Sequence, residues 1–129
     1  MIFVDTSAFY ALADRADPQH RRARDLFERI LRDRTALLTH NYILVESLAL
    51  LQHRLGLPAA RALQESTRAF EVVWIDHELH AEAAIRWAAG GRSVSLVDHV
   101  SFLLMRRLQI QTAFAFDSDF EDAGFELAR

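Results

Sequence analysis

Short apolar runs recur along the chain at residues 2–4, 36–39, 72–75 and 112–116, with a shorter one at 125–127. The stretches between them carry apolar residues at helical spacing. This alternation is the strongest constraint on the fold. A strand that returns to the same sheet after each helix needs a crossover connection, so its strands run parallel. The runs are apolar throughout rather than half polar, as expected of strands covered on both faces. The expectation is a three-layer α/β/α sandwich with a parallel sheet of four to five strands, formed by residues 1–129 as a single domain. No repeat, linker or low-complexity stretch interrupts it.

Local signals place the helices. A short one is expected over residues 7–14. Asp17-Pro18 reads as an N-cap with proline in the first turn, opening a helix with Ala23, Leu26, Phe27, Ile30 and Leu31 on its core face. Asn41 reads as the cap of the next helix, whose core face is Ile43, Leu48, Leu51 and Leu55 and which Gly56 ends. Pro58 opens another, to about residue 70, and residues 77–89 form one closed by Gly90-Gly91. Ser95-Leu96-Val97-Asp98 has the form of a capping box, with the acid three residues after the serine, and opens a helix to about residue 108.

Composition narrows the chemistry. There is no cysteine, which removes disulfides, thiolate metal sites and cysteine nucleophiles. All 15 basic residues are arginine. Lacking lysine, the chain has no P-loop cation, and phosphotransfer centres that set an aspartate after a first strand and a lysine beside it are excluded too. No apolar stretch reaches the ~20 residues that span a bilayer. The start, MIFVDTSAF, has no basic region ahead of an apolar one, so the expected location is the cytoplasm, with no membrane partner.

The acids fall at one end of the expected sheet. Open parallel sheets gather chemistry outside the carboxyl ends of their strands. Asp5 follows the first run and Asp117 the fourth; Glu46 and Asp98 lie in the first turns of helices at that rim. Carboxylates held together repel and raise one another's pKa, and cations neutralise them. Oxygen ligands suit Mg2+ or Mn2+, and two such ions about 4 Å apart can activate a water and steady the leaving oxygen of a phosphodiester.

Each acid also has a plainer reading. Asp5 can cap the following helix, Asp98 already serves a capping box, and Asp117 and Asp119 suit a turn. Glu46, between Val45 and Leu48 on an apolar helix, is expected to be buried, where an unpaired carboxylate is costly. His77 and His80 in HELH lack a third ligand, His99 adjoins Asp98, and Ser7, Ser95 and Ser118 have no base arranged around them. Arg21, Arg22 and Arg24 share a helix with interspersed acids. They form a solvated face, or, if that helix borders the acids, a hold on a phosphate backbone.

The order MIFVDTSAFYAL, NYILVES, SLVDHVSFLLMRR and AFAFDSDFEDAGF resembles the PIN domain of VapC-type toxins over essentially the whole chain. The resemblance implies a divalent-metal endoribonuclease hydrolysing RNA phosphodiester bonds. Asp5, Glu46, Asp98 and Asp117 would be its acidic quartet, Asp119 an accessory ligand, and Thr6 or Ser7 a supporting hydroxyl. It also implies a homodimer and a cognate antitoxin that inhibits the enzyme. One departure is Ala115, where relatives often carry threonine two residues before the fourth acid. A PIN-like binding module without nuclease activity, or a metal-dependent nuclease acting on DNA or structured nucleic acid, remain the alternative readings.

Overall fold

The computed structural model describes residues 1–91 and 93–129. Strands β1 (Ile2–Val4), β2 (Leu37–His40), β3 (Glu71–Val73), β4 (Thr112–Phe114) and β5 (Glu126–Leu127) form one sheet. Its order is β3-β2-β1-β4-β5, and every pairing is parallel. The helices are α1 (Thr6–Ala13), α2 (His20–Arg32), α3 (Asn41–Leu55), α4 (Leu57–Ser66), α5 (His77–Ala88), α6 (Leu96–Arg107) and the single turn α7 (Asp119–Asp122). The expected parallel α/β sandwich is therefore the fold.

Topology fixes where a site can form. From β1 the chain adds β2 and β3 on one side, then returns through α5 and α6 to lay β4 on the other. The order reverses between β1 and β4, and the loops after those two strands part there to leave a crevice. Phe3, Val4, Leu38, Phe114 and Met105 are among the fully buried side chains behind it.

Several local signals resolve differently from expectation. Helix α2 begins at His20 rather than at Pro18, because Asp17 turns back on itself: its Oδ1 accepts from Gln19 N at 2.8 Å and its carbonyl from His20 N at 3.0 Å. His40, not Asn41, caps α3, accepting from Ile43 N. Asn41 Oδ1 instead accepts from Ile75 N at 2.7 Å, tying the end of β3 to α3. Gly56 ends α3 at φ 98°, a value open to glycine without strain. Helix α4 stops at Ser66, and a 3-10 turn over Thr67–Ala69 covers the rest of the expected helix. Leu31 and Leu55, expected in the core, lie at the solvent edge of their helices. The Ser95 capping box and the short β5 form as expected.

Candidate active site

Strand β1 ends by delivering Asp5 into the crevice, and Asp5 N donates to Phe114 O on β4 at 3.1 Å. The Asp5 carboxylate caps α1. Its Oδ2 accepts from Ser7 N at 3.1 Å and from Ser7 Oγ at 2.7 Å. Ser7 Oγ in turn accepts from Phe116 N at 2.9 Å, so one hydroxyl ties the two strand ends together. Burial pushes the Asp5 carboxyl above its ordinary range; the Ser7 bonds oppose that rise, and the Asp117 charge adds to it. The plainer reading, a cap, and the functional one thus hold together: the residue caps α1 and sits in the acidic crevice.

Asp98 shows the same double use. In the first turn of α6 its Oδ2 accepts from Ser95 N at 3.2 Å, closing the capping box. Its carboxyl is nonetheless raised from 3.8 to about 6, first by burial, then by the charges of Asp5 and Asp117, against the opposing Ser95 bonds. Asp117 follows β4, where its Oδ1 accepts from Asp119 N at 2.9 Å. Oxygens of Asp98, Asp117 and Asp119 all lie within 4.8 Å of one another. Asp119 is also raised, by desolvation first and then by Asp117 and Asp122.

Glu46 stands apart. The expectation that it is buried does not hold: it is exposed in the second turn of α3, beside the 65 % exposed Val45, and lies outside the three-carboxylate group. Its neighbour Ser47 faces inward and donates to Thr6 Oγ1 at 3.3 Å, so the supporting hydroxyls of Thr6 and Ser7 are held from α3 and from the segment just after β4 respectively. Ala115 is buried under the rim.

The arginines divide. Arg21 and Arg22 line a cleft of about 390 Å3 with Arg29 and Arg129. Arg24 turns away to an exposed pair with Glu28 at 3.6 Å, beside an apolar groove that includes Phe27 and Phe70. His99 sets its Nε2 inside the protein near Gly90, with no hydrogen-bond partner among the described residues, so that nitrogen is out of reach of a substrate proton.

The sequence reading passed over His40 and Ser101. His40 Nδ1 accepts from Ile43 N, which leaves the proton on Nε2 to donate to Ser101 Oγ at 2.9 Å; Ser101 donates on to Val97 O at 3.0 Å. This buried chain joins the end of β2 to the turn that carries Asp98. A histidine inside an apolar strand end was the available signal.

Three clustered carboxylates, and a fourth whose charge reaches them, need positive charge. Cation-binding fits the donor set: the acids offer only oxygen, and their raised proton affinities record first the loss of water on burial and then the mutual repulsion, both of which a cation would offset. The fold, the switch-point crevice and the acids define a nuclease class. The chain belongs to the PIN-domain family, whose model matches residues 2–126.

Within that family it is similar to the 23S rRNA-specific endonuclease VapC20 of Mycobacterium tuberculosis. The CDC 1551 and H37Rv proteins are each 39% identical to it over 129 residues, covering 97% of this chain and 95% of theirs. The crystal structure of Mycobacterium tuberculosis VapC20, described as a sarcin–ricin loop cleaving toxin, matches with a TM-score of 0.84. That match has 35% identity and covers 97% of this chain and 96% of the other. The resemblance to VapC-type PIN domains read from the sequence is borne out.

Proposed function

We propose that this chain is a Mg2+- or Mn2+-dependent endoribonuclease, the toxin of a toxin–antitoxin pair, and that it cleaves ribosomal RNA at a structured loop. One observation carries the reading: the oxygens of Asp98, Asp117 and Asp119 converge within 4.8 Å at the β1/β4 switch point. The similarity to an rRNA-specific endonuclease over nearly the full length of both chains supports the substrate class.

Asp5, Asp98 and Asp117 would hold the cation, with Asp119 as an accessory ligand and Glu46, on α3, as the fourth acid of the quartet. A divalent cation there supplies a water activated for attack and offsets charge gathering on the phosphate. The chain's own contribution is placement. Ser7 fixes the Asp5 carboxylate, the Ser95 capping box fixes Asp98, and the Asp119 N–H fixes Asp117. Because the carboxylates start desolvated, they are set for a cation rather than reorganised by it.

Arg21 and Arg22, with Arg29 and Arg129 beside them, would hold the RNA backbone; Arg24, turned to Glu28, would not. The protein would act in the cytoplasm as a single PIN domain over residues 1–129, as a homodimer held in check by an antitoxin. No helix among the described residues is long and apolar enough to cross a membrane.

The test is cleavage of purified ribosomal RNA. Activity should appear with Mg2+ or Mn2+, disappear with chelator, and disappear in Asp5→Asn. Equal cleavage by Asp5→Asn and wild type would overturn the site, and cleavage undiminished by chelator would overturn the metal dependence.

A further inference from the structure

A cavity of about 220 Å3 opens between α1 and α3 beside the carboxylates. Its inner wall is Thr6 and Ser7, and Ser7 Oγ lies 2.7 Å from Asp5 Oδ2, so whatever fills the cavity abuts the acidic crevice. The remaining walls include Tyr10, Arg54, Phe116 and Asp17, whose negative charge Arg54 must outweigh for a phosphate to enter. We infer that this cavity is a subsite for the nucleotide next to the cleaved phosphodiester, with Arg54 holding its phosphate and the Phe116 ring stacking on its base. The inference rests on the ribonuclease reading above.

Arg54 carries the argument. Its guanidinium sits 5.4 Å from the centroid of the Tyr10 ring, and among the described residues it forms no ion pair with any carboxylate. The Tyr10 hydroxyl donates to Asp14 Oδ2 at 2.7 Å, which fixes the ring on which the guanidinium rests. An exposed planar cation therefore lies at the wall of a cavity beside the reaction centre, partly engaged by the Tyr10 hydroxyl and the Asp14 charge, and the rest of its fork can meet a phosphate. Such a fork matches a phosphate, and a weakly hydrated guanidinium gives up water readily to take one.

Phe116 supplies the other half. It is half buried at the mouth, positioned through its own N–H on Ser7 Oγ, and offers a ring of the kind on which unpaired bases stack. The volume is below the ~300–1,000 Å3 of pockets that enclose a drug-sized ligand. It is too small to enclose a whole nucleotide, so the phosphate would enter at Arg54 while the base stacks on Phe116 at the mouth, which calls for an unpaired nucleotide.

The test measures steady-state cleavage of a ribosomal RNA stem–loop, with Mn2+, across a range of salt. Arg54→Ala should raise KM about tenfold with kcat nearly unchanged, and should flatten the log–log salt dependence by roughly one phosphate contact. Arg54→Lys, which keeps the charge, should restore most of the salt dependence. Phe116→Leu should raise KM about tenfold and leave the salt dependence as in wild type, since it removes stacking and not charge. Thermal unfolding of each variant, within a few degrees of wild type, establishes folding. Unchanged KM and salt dependence in Arg54→Ala, with wild type active, overturns the subsite and leaves the nuclease reading standing. Failure of the wild type itself to cleave RNA overturns both.

Discussion

Replacing Asp98 by asparagine should make the metal-free protein more stable while removing its activity. The Asp98 carboxyl is raised from 3.8 to about 6, so the folded protein binds its proton more tightly than the unfolded chain does. Stability drawn from that proton is fully present below the unfolded value of 3.8 and is lost as pH rises through about 6. At 1.36 kcal/mol for each pH unit the ionised carboxylate would cost about 3 kcal/mol at neutral pH. Water still reaches the side chain and screens it, which brings the expected cost nearer ~1–1.5 kcal/mol. Asparagine keeps an oxygen to accept from Ser95 N–H and carries no charge, so the capping box survives. For a chain of 129 residues the gain corresponds to a rise in Tm of about 3–5 °C. The assay is differential scanning calorimetry in chelator at pH 7.5 and again at pH 4, where the two proteins should converge. Saturating Mn2+ should reverse the order, because a ligand at 100 times its Kd adds about 2.7 kcal/mol to wild type alone. A variant less stable than wild type at pH 7.5 in chelator, or an equal difference at both pH values, would refute the reasoning that burial and the neighbouring carboxylates disfavour an ionised Asp98 in this crevice.

Three further outcomes follow from the same geometry. His40 is held neutral by burial, its value lowered from 6.5 to about 3, so its contribution is present above 6.5 and lost as pH falls. Urea unfolding at pH 7.5 and pH 5 should show about 2 kcal/mol of acid loss in wild type that His40→Leu lacks. Ser7→Ala leaves the Phe116 N–H and Asp5 Oδ2 without their shared hydroxyl and should cost about 1–3 kcal/mol by denaturant titration, with reduced cleavage. Asp117→Asn should lower Mn2+ affinity by calorimetry at least about tenfold, whereas Glu46→Gln, exposed and outside the three-carboxylate group, should change it less.

What the sequence disclosed depended on how local the cause was. The parallel sheet was legible because each short apolar run is bounded by its own breakers, and the Ser95 box because its partners are three residues apart. Asp5 and Asp117 were placed at the rim from strand ends, whereas Asp98 was placed there by the first turn of its helix and joined to them as a ligand only by the family resemblance. The start of α2 was misread because Asp17 serves a turn and a cap by the same Oδ1 chemistry, and only the following backbone decides between them. Asn41 was misread because its true partner, Ile75 N, lies just past the end of β3, 34 residues away along the chain. Glu46 looked buried among apolar neighbours, yet Val45 and Glu46 share the solvent-exposed side of α3. Arg54 over Tyr10 and His40 on Ser101 join segments that no spacing rule connects.

The reversal of strand order has a temporal side. Asp5 is made with the first strand, but the edge of β1 that faces the crevice stays unpaired until β4 is laid against it. Asp117 and the Phe116 N–H that Ser7 needs both arrive with that late strand. A chain growing from its amino end therefore holds no assembled centre until nearly all of it has emerged.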